Sequence, residues 1–185
     1  MHAGNNIPSR RTCLELIEAS DMLPNIRRHS LTVSRVAVRL ASMLNEHGSD
    51  YDVAEIEAAA LLHDITKTRS LETGENHSLT GAATVASLGY GSVADIIRQH
   101  VTPDTDGRCI TAAEIVSYAD KRVLHDHVVP LDERFEYLKV RYGRSDRDIH
   151  RIEAARLQTE HIEQRIARML PGGIPEKLFM EKHTE

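Results

Sequence analysis

Apolar residues recur along almost the whole chain at the three-and-four spacing of one helix face, and the alternation typical of strands is almost absent. The pattern is clearest over residues 25–47, where Ile26, Val33, Val36 and Leu40 share a face. The sequence therefore predicts an all-α fold, a compact bundle of about seven to nine helices. The predicted helices cover residues 11–20, 25–47, 52–64, 77–88, 92–100, 110–125, 131–141 and 146–169.

Turn-forming residues separate these helices at several points. The segment VTPDTDGRC at 101–109 is polar and rich in turn residues, which makes it a candidate edge of a substrate pocket. PGGIP at 171–175 ends the last long helix, and a short helix or tail is expected over 176–185. The helix at 146–169 carries a partial apolar stripe that fits either closure of the domain or a homodimer contact.

Composition narrows the classes of partner. The formal net charge is −5, with acidic and basic residues interspersed, and tryptophan is absent, so we expect no nucleic-acid polymer as a partner. Cys13 and Cys109 are far apart without a CxxC spacing, as in proteins of a reducing compartment. No apolar run approaches the roughly 18 residues of a membrane span and no leader is evident, so a cytoplasmic location without membrane contact is expected.

The eleven histidines are the compositional outlier, and several lie on inward helix faces together with carboxylates. The three-and-four spacing places an inward ligand-type side chain on each of five predicted helices. The residues are His29, His63 with its neighbour Asp64, His77, His100 and Asp120. A buried carboxylate such as Asp120 needs a charged partner, a shifted pKa or a metal ion.

Two interpretations account for this set. In the first, each histidine is a hydrogen-bonded core residue and Asp120 pairs with an arginine or lysine. In the second, the five helices share a metal centre, which the number of convergent side chains favours. Imidazoles and carboxylates without a thiolate suit iron, manganese, zinc or cobalt, and six ligands fit either one full shell or two ions bridged by Asp64.

The ordered set resembles the HD superfamily of metal-dependent phosphohydrolases over about residues 24–125. HDITK at 63–67 is similar to the HDIGK signature of that family, with Thr66 where glycine often stands. The histidine, His-Asp doublet and distal aspartate of the family match His29, His63, Asp64 and Asp120. The chain is accordingly interpreted as a single domain over 1–185, with a metal-binding core at about 24–125 and a C-terminal helical extension at about 131–185.

The resemblance implies roles for individual residues. The cofactor would be one or two divalent metal ions, with iron first and manganese, zinc, cobalt, nickel or magnesium as alternatives. The first ion would be held by His29, His63, Asp64 and Asp120, and the second by His77 and His100 with Asp64 as a bridge. The implied catalytic residues are Asp64 and Lys67, and the implied substrate-binding residues are Lys67 and Arg122.

The implied activity is hydrolysis of a phosphoester or phosphoanhydride bond by a metal-activated water. The substrate would be a small phosphorylated molecule, a nucleotide or a dinucleoside polyphosphate, because LLHDITK is similar to the branch that cleaves dinucleoside tetraphosphates symmetrically. Residues 118–143 look more like stand-alone HD proteins. The alternative is a catalytically weak metal- or nucleotide-binding regulatory HD module. A second His-Asp pair, His125 and Asp126, is expected at the surface or behind the ligands.

Overall fold

The computed structural model describes residues 6–105 and 107–175, and it confirms the all-α prediction. Two strands of two residues, β1 (Val123–Leu124) and β2 (His127–Val128), pair antiparallel between α7 and α8. Within the described ranges, no helix is both long enough and apolar enough to cross a membrane. The helices are α1 (Arg10–Ala19), α2 (Pro24–Glu46), α3 (Val53–Leu62), α4 (Lys67–Thr73), α5 (His77–Ser87), α6 (Gly91–Gln99), α7 (Ala112–Lys121), α8 (Leu131–Tyr142) and α9 (Asp146–Met169).

Local sequence signals fix the ends of the helices that carry the site. Pro24 begins α2, and Gly48, with φ of 96°, follows the end of that helix. The Asp52 side chain accepts hydrogen bonds from two amides at the start of α3. Thr111 and Glu114 form a capping box at the start of α7. These caps set where each helix starts and therefore which side chains face the core.

The apolar faces of the helices form one continuous core. In it α2 packs against α3 and α7, α5 pairs with α6, and α8 and α9 form a hairpin whose second helix contacts α7. Leu40 of α2, Ile97 of α6, Phe135 of α8 and Ile162 of α9 are almost inaccessible to solvent and belong to the same cluster. The division into a core at 24–125 and an extension at 131–185 stays a prediction.

Two element predictions need correction. The helix expected over 110–125 ends at Lys121, because the chain turns there into the β1–β2 hairpin, whose tip includes His125 at φ of 57°. The helix α4 was not predicted, since it has seven residues and no buried side chain and therefore no apolar stripe. The short helix or tail expected over 176–185 lies outside the described residues.

Candidate metal centre

Six side chains from five helices and one turn converge at one place, and we call them the ligand cluster. His29 lies on α2, His77 begins α5, and His63 and His100 are the residues that end α3 and α6. The ring centroids of successive histidines are 5.0 to 5.5 Å apart in the order 29, 63, 100 and 77. The ligand cluster consists of His29, His63, Asp64, His77, His100 and Asp120.

Backbone carbonyls fix the orientation of three of the histidine rings. Nδ1–H of His63 donates to the Ala60 oxygen at 2.8 Å, and Nδ1–H of His100 donates to the Ile97 oxygen at 2.7 Å. Nδ1–H of His29 donates to the oxygen of His125 at 2.9 Å. A carbonyl only accepts, so Nδ1 carries the proton and each ring presents Nε2 to the cluster, the usual arrangement of a metal-binding histidine.

The Asp64 carboxylate lies between two groups of histidines. Its Oδ2 is 3.6 Å from His63 Nε2, and its Oδ1 is 3.2 Å from His77 Nε2 and 3.9 Å from His100 Nε2. Two sets of donor atoms, each within 4.8 Å of one another, result: one from His29, His63 and Asp64, and one from Asp64, His77 and His100. The arrangement gives Asp64 the geometry of a residue shared by two cation sites.

The ligand cluster fits a metal ion because it contains buried polar atoms that form no hydrogen bond. Among the described residues, His63 Nε2 and Asp64 Oδ1 are buried and form no hydrogen bond. Such atoms cost roughly 1–3 kcal/mol each when they are left unpaired. Imidazole nitrogens and carboxylate oxygens would ligate iron, manganese, zinc or a related divalent ion and so satisfy both atoms.

Burial and neighbouring charges set the protonation of the cluster. Loss of solvent lowers the pKa of His100 from 6.5 to about 3, and it lowers the pKa of His63 as well. Burial acts in the opposite direction on Asp64 and Asp120, but the nearby histidines and lysines outweigh it, so that the pKa of each carboxyl lies well below 3.8. Near neutral pH the two histidines are neutral and the two carboxyls are ionised, as metal ligands must be.

Asp120 has protein partners of its own. Its Oδ2 accepts a hydrogen bond from Lys121 Nζ at 2.6 Å, and its Oδ1 lies 2.9 Å from His29 Nε2 and 3.9 Å from Arg134 Nη2. Cationic pairing, the alternative to a metal, thus accounts for the burial of this carboxylate. It does not account for His63 Nε2 or Asp64 Oδ1, which remain the atoms that favour a bound ion.

The turn after the His-Asp doublet holds α5 against the cluster. Lys67 Nζ lies 3.8 Å from Asp64 Oδ1 and 3.2 Å from His77 Nε2. The hydroxyl of Thr66 donates to the backbone oxygen of His77 at 3.0 Å. Thr66 has φ of −105°, a conformation that does not require glycine. The departure from the HDIGK pattern therefore adds a hydrogen bond that positions the start of α5.

Arg122 is in a different place from the one predicted. Its guanidinium donates to the Val129 oxygen at 2.8 Å, to Tyr118 Oη at 2.7 Å and to Glu163 Oε1 at 3.0 Å. The side chain is buried between α7, the hairpin and α9, and it does not line the cavity described below. Its donors stabilise the packing of the C-terminal helices, and substrate binding by Arg122 stays a prediction.

A cavity of about 570 Å³ opens onto the ligand cluster. The apolar and aromatic part of its lining, which α8 and α9 contribute, is called the α8–α9 wall. Four cations and two carboxylates line the cavity, so its formal charge is +2 with neutral histidines, whereas the whole chain carries −5. The α8–α9 wall consists of Phe135, Tyr137, Leu138, Tyr142, Ile152 and Ala155, and the four cations are Lys67, Lys121, Arg134 and Arg151.

Sequence reasoning did not single out Arg134 or the α8–α9 wall. The first turn of α8 combines acidic and basic residues with few apolar ones, so its periodicity gives no sign of which side chain faces a cavity. Lys121, the chain neighbour of Asp120, also lines the cavity. The expectation that a lysine or arginine pairs with Asp120 was the available signal, but spacing along the chain does not select one among several such residues.

The β1–β2 hairpin supports the ligand cluster through a backbone hydrogen bond. The carbonyl of His125 accepts the hydrogen bond from His29, and the His125 ring packs edge-on against Tyr137 at 5.3 Å. Asp126 forms an ion pair with Arg28 at 3.1 Å on the outer side of α2. The second His-Asp pair thus contributes a backbone acceptor that orients a ligand, in the supporting position expected for it.

Comparison with known proteins agrees with this geometry. An uncharacterised protein of Methanocaldococcus jannaschii is 29% identical over 143 residues, which cover 69% of this chain and 83% of that protein. The crystal structure of a predicted HD superfamily hydrolase from an uncultured Thermotogales bacterium has the same fold, with a TM-score of 0.52 and 23% identity over 88% of this chain and 93% of the other. The HD domain family model matches residues 26–124, more than half of the sequence. The chain belongs to the HD domain family.

Proposed function

We propose that the protein is a metal-dependent phosphohydrolase that cleaves a phosphoester or phosphoanhydride bond of a small substrate. The observation that carries the proposal is the pair of donor sets sharing Asp64 at the end of a cavity with a formal charge of +2 in a protein of charge −5. A positive cavity attracts an anionic ligand, and each bound divalent ion would increase that attraction. The family membership and the solved relative, which is described as a predicted hydrolase, support the same class of reaction.

Each residue of the cluster has a distinct task in this proposal. His29, His63, Asp64 and Asp120 would hold a first ion, and His77 and His100 would hold a second one with Asp64 between them. The bound ions would polarise phosphoryl oxygens and activate water for attack on phosphorus. Lys67 would place a positive charge beside the reacting phosphate, where negative charge increases in the transition state. Backbone carbonyls would keep three imidazoles oriented throughout.

A nucleotide or dinucleoside polyphosphate is the proposed substrate. A volume of about 570 Å³ falls within the roughly 300–1,000 Å³ of small-ligand sites. The polar end of the cavity suits phosphate, and the apolar and aromatic α8–α9 wall suits a base or another planar group. Symmetrical cleavage of a dinucleoside tetraphosphate is the finer form of the proposal, with two nucleoside diphosphates as its products. The cytoplasmic location and the homodimer contact through α9 stay predictions.

The decisive experiment combines metal analysis of the purified protein with phosphate release. Substrates would be nucleoside mono-, di- and triphosphates, dinucleoside tetraphosphates and a phosphomonoester without a base, each with iron, manganese, zinc, cobalt, nickel or magnesium. Asp64→Ala should lower both metal content and turnover, with turnover falling by at least about 100-fold. The matched control is Asp95→Ala, which removes an exposed aspartate of α6 and should leave both unchanged.

The number of ions can be tested separately. His77→Gln removes a ligand of the second donor set only, so it should reduce the bound metal from two equivalents to one and leave the first site filled. Loss of all metal in this variant would contradict two separable sites. Retained metal without hydrolysis of any phosphoester by the unmodified protein would favour the regulatory alternative over the proposed enzyme.

A further inference from the structure

We propose that Arg134 of α8 is the arginine that binds the substrate phosphate, an inference that rests on the proposed function. Arg134 lies outside the family match at 26–124 and lines the same cavity as His29, His77 and His100. Its side chain is only 14% exposed, and its Nη2 is 3.9 Å from Asp120 Oδ1. The guanidinium therefore lies at the edge of the ligand cluster, in position to contact an anion held there.

The hydrogen bonds of Arg134 are incomplete without a ligand. In the part of the chain that the structure describes, its Nε is buried and has no hydrogen-bond partner. The 3.9 Å approach to Asp120 exceeds hydrogen-bond distance, and Asp120 already contacts Lys121 at 2.6 Å and His29 at 2.9 Å. Arg134 therefore keeps one donor, Nε, without an acceptor, and its charge approaches Asp120 only to 3.9 Å, because Lys121 and His29 already contact this carboxylate.

Two other buried arginines of the same region, Arg122 and Arg165, have structural roles. Arg122 donates to a carbonyl, a hydroxyl and a carboxylate. Arg165 donates to Glu114 at 2.5 Å, to Thr105 at 3.0 Å and to the Cys109 oxygen at 2.6 Å, and so fastens the 101–111 loop to α9. Both are about as buried as Arg134, but their donors are matched by protein acceptors.

The chemistry of the guanidinium defines the ligand that fits. Its planar set of N–H donors matches two oxygens of one phosphate group, which a lysine ammonium cannot do. A phosphate bound at the ligand cluster would place oxygens between the metal site and Arg134. The remainder of the substrate would then lie against Tyr137 and Leu138, the partly exposed neighbours of Arg134 in the cavity lining. Arg134 would thereby fix which end of the substrate reaches the reacting position.

The test uses the metal-loaded full-length protein with inorganic phosphate as the probe. Calorimetry should show Arg134→Gln binding phosphate about 10- to 100-fold more weakly than the unmodified protein, with the metal content unchanged. KM for the best phosphoester should rise by a similar factor, with a smaller change in kcat. Arg134→Lys, which keeps the charge without the planar fork, should recover part of the loss. Arg141→Gln removes an exposed arginine of the same helix and should bind phosphate normally.

The result that would overturn the proposal is phosphate binding by Arg134→Gln equal to that of the unmodified protein. Loss of metal from this variant, with KM unchanged, would overturn it too, because Arg134 would then only position Asp120. If the glutamine variant does not fold, the comparison of Arg134→Lys with the unmodified protein decides. The phosphate titration is independent of turnover, so a protein that binds phosphate through Arg134 but hydrolyses nothing would contradict the proposed enzyme and not this contact.

Discussion

The ligand cluster and the α8–α9 wall contribute to stability in opposite ways. The ligand cluster places four imidazoles and two carboxylates in a largely buried position, and His63 Nε2 and Asp64 Oδ1 form no hydrogen bond with the described residues. The α8–α9 wall is mainly apolar and packs into the common core through side chains such as Phe135. The ligand cluster costs stability in the metal-free protein, whereas the α8–α9 wall contributes to it.

The difference indicates which substitutions should separate stability from function. A substitution in the α8–α9 wall should lower the stability of the fold more than it weakens ligand binding. A substitution in the ligand cluster should weaken ion binding and leave the stability of the metal-free protein unchanged or higher, as is common where groups are arranged for chemistry and not for stability.

The largest expected change in stability comes from Phe135→Ala. Phe135 is fully buried in α8, so truncation leaves a cavity and should lower the free energy of unfolding by about 3–5 kcal/mol. Urea denaturation of the metal-free protein measures this value. The matched variant Phe135→Leu keeps most of the volume and should lose about 1.5 kcal/mol or less. Equal losses in the two variants would show that packing of this wall is not what supports α8.

His63→Leu should have opposite effects on binding and on stability. Ion affinity should fall by at least about 100-fold because a ligand is removed. The metal-free protein should be as stable as the unmodified one or more stable by about 1–2 kcal/mol, because an unpaired buried acceptor disappears. A competing chromophoric chelator and urea denaturation provide the two measurements. A loss of more than about 2 kcal/mol would indicate that His63 is a structural residue.

A pH-dependent effect on stability is expected from α1, where Cys13 lies in the core. Burial, with a smaller contribution from Glu57, raises the pKa of the Cys13 thiol from 9.0 to about 11. The folded protein keeps this proton at pH values where the unfolded chain has lost it. The resulting stability is complete below pH 9 and is lost as the pH rises through 11, at roughly 1.4 kcal/mol per pH unit.

Urea denaturation of the unmodified protein and of Cys13→Ala between pH 8 and 11 measures the Cys13 contribution as the difference between the two slopes. Cys109 is exposed and serves as the matched control, since Cys109→Ala should retain the slope of the unmodified protein. Identical pH dependence in the Cys13 variant would exclude the buried thiol as its source.

The smallest changes in stability and ion affinity are expected for the ion pair between α2 and the β1–β2 hairpin. Arg28→Ala removes the ion pair with Asp126, in which the arginine side chain is 59% exposed, so stability should fall by about 0–1 kcal/mol. Ion affinity should change less than about threefold, because the bond to His29 comes from the His125 carbonyl. Arg27→Ala removes a similarly exposed pair with Glu18 and is the control. A large loss of ion affinity confined to Arg28→Ala would make the hairpin part of the metal site.

The ligand cluster was accessible to sequence reasoning because each member has a fixed register within its own helix. His29 shares a face with Val33 and Val36, and that face is buried in the structure. The short exposed helix α4 and the end of α7 were not accessible, since one lacks an apolar stripe and the other ends through a hairpin between distant residues. A helix was thus predictable where one of its faces is buried and apolar residues repeat along that face.

Arg122 and Arg134 mark the limit of such reasoning. Both are arginines near Asp120, and the sequence favoured the one that is close in the chain. Packing of α9 and the hairpin supplied acceptors for Arg122, and packing of α8 brought Arg134 to the cavity without a partner for its Nε among the described residues. Contacts between distant segments decide which charged side chains are paired. The spacing of apolar residues along a single helix carries no information about these contacts.

The sequence by itself determined the helical class, the inward faces and the set of ligand-type residues, because these depend on spacing along one helix at a time. The tertiary structure decided that Asp64 lies between two donor sets, that His63 Nε2 forms no hydrogen bond with the described residues, and that α8 and α9 line the same cavity. These properties depend on distances between helices, which follow from side-chain packing across the whole core.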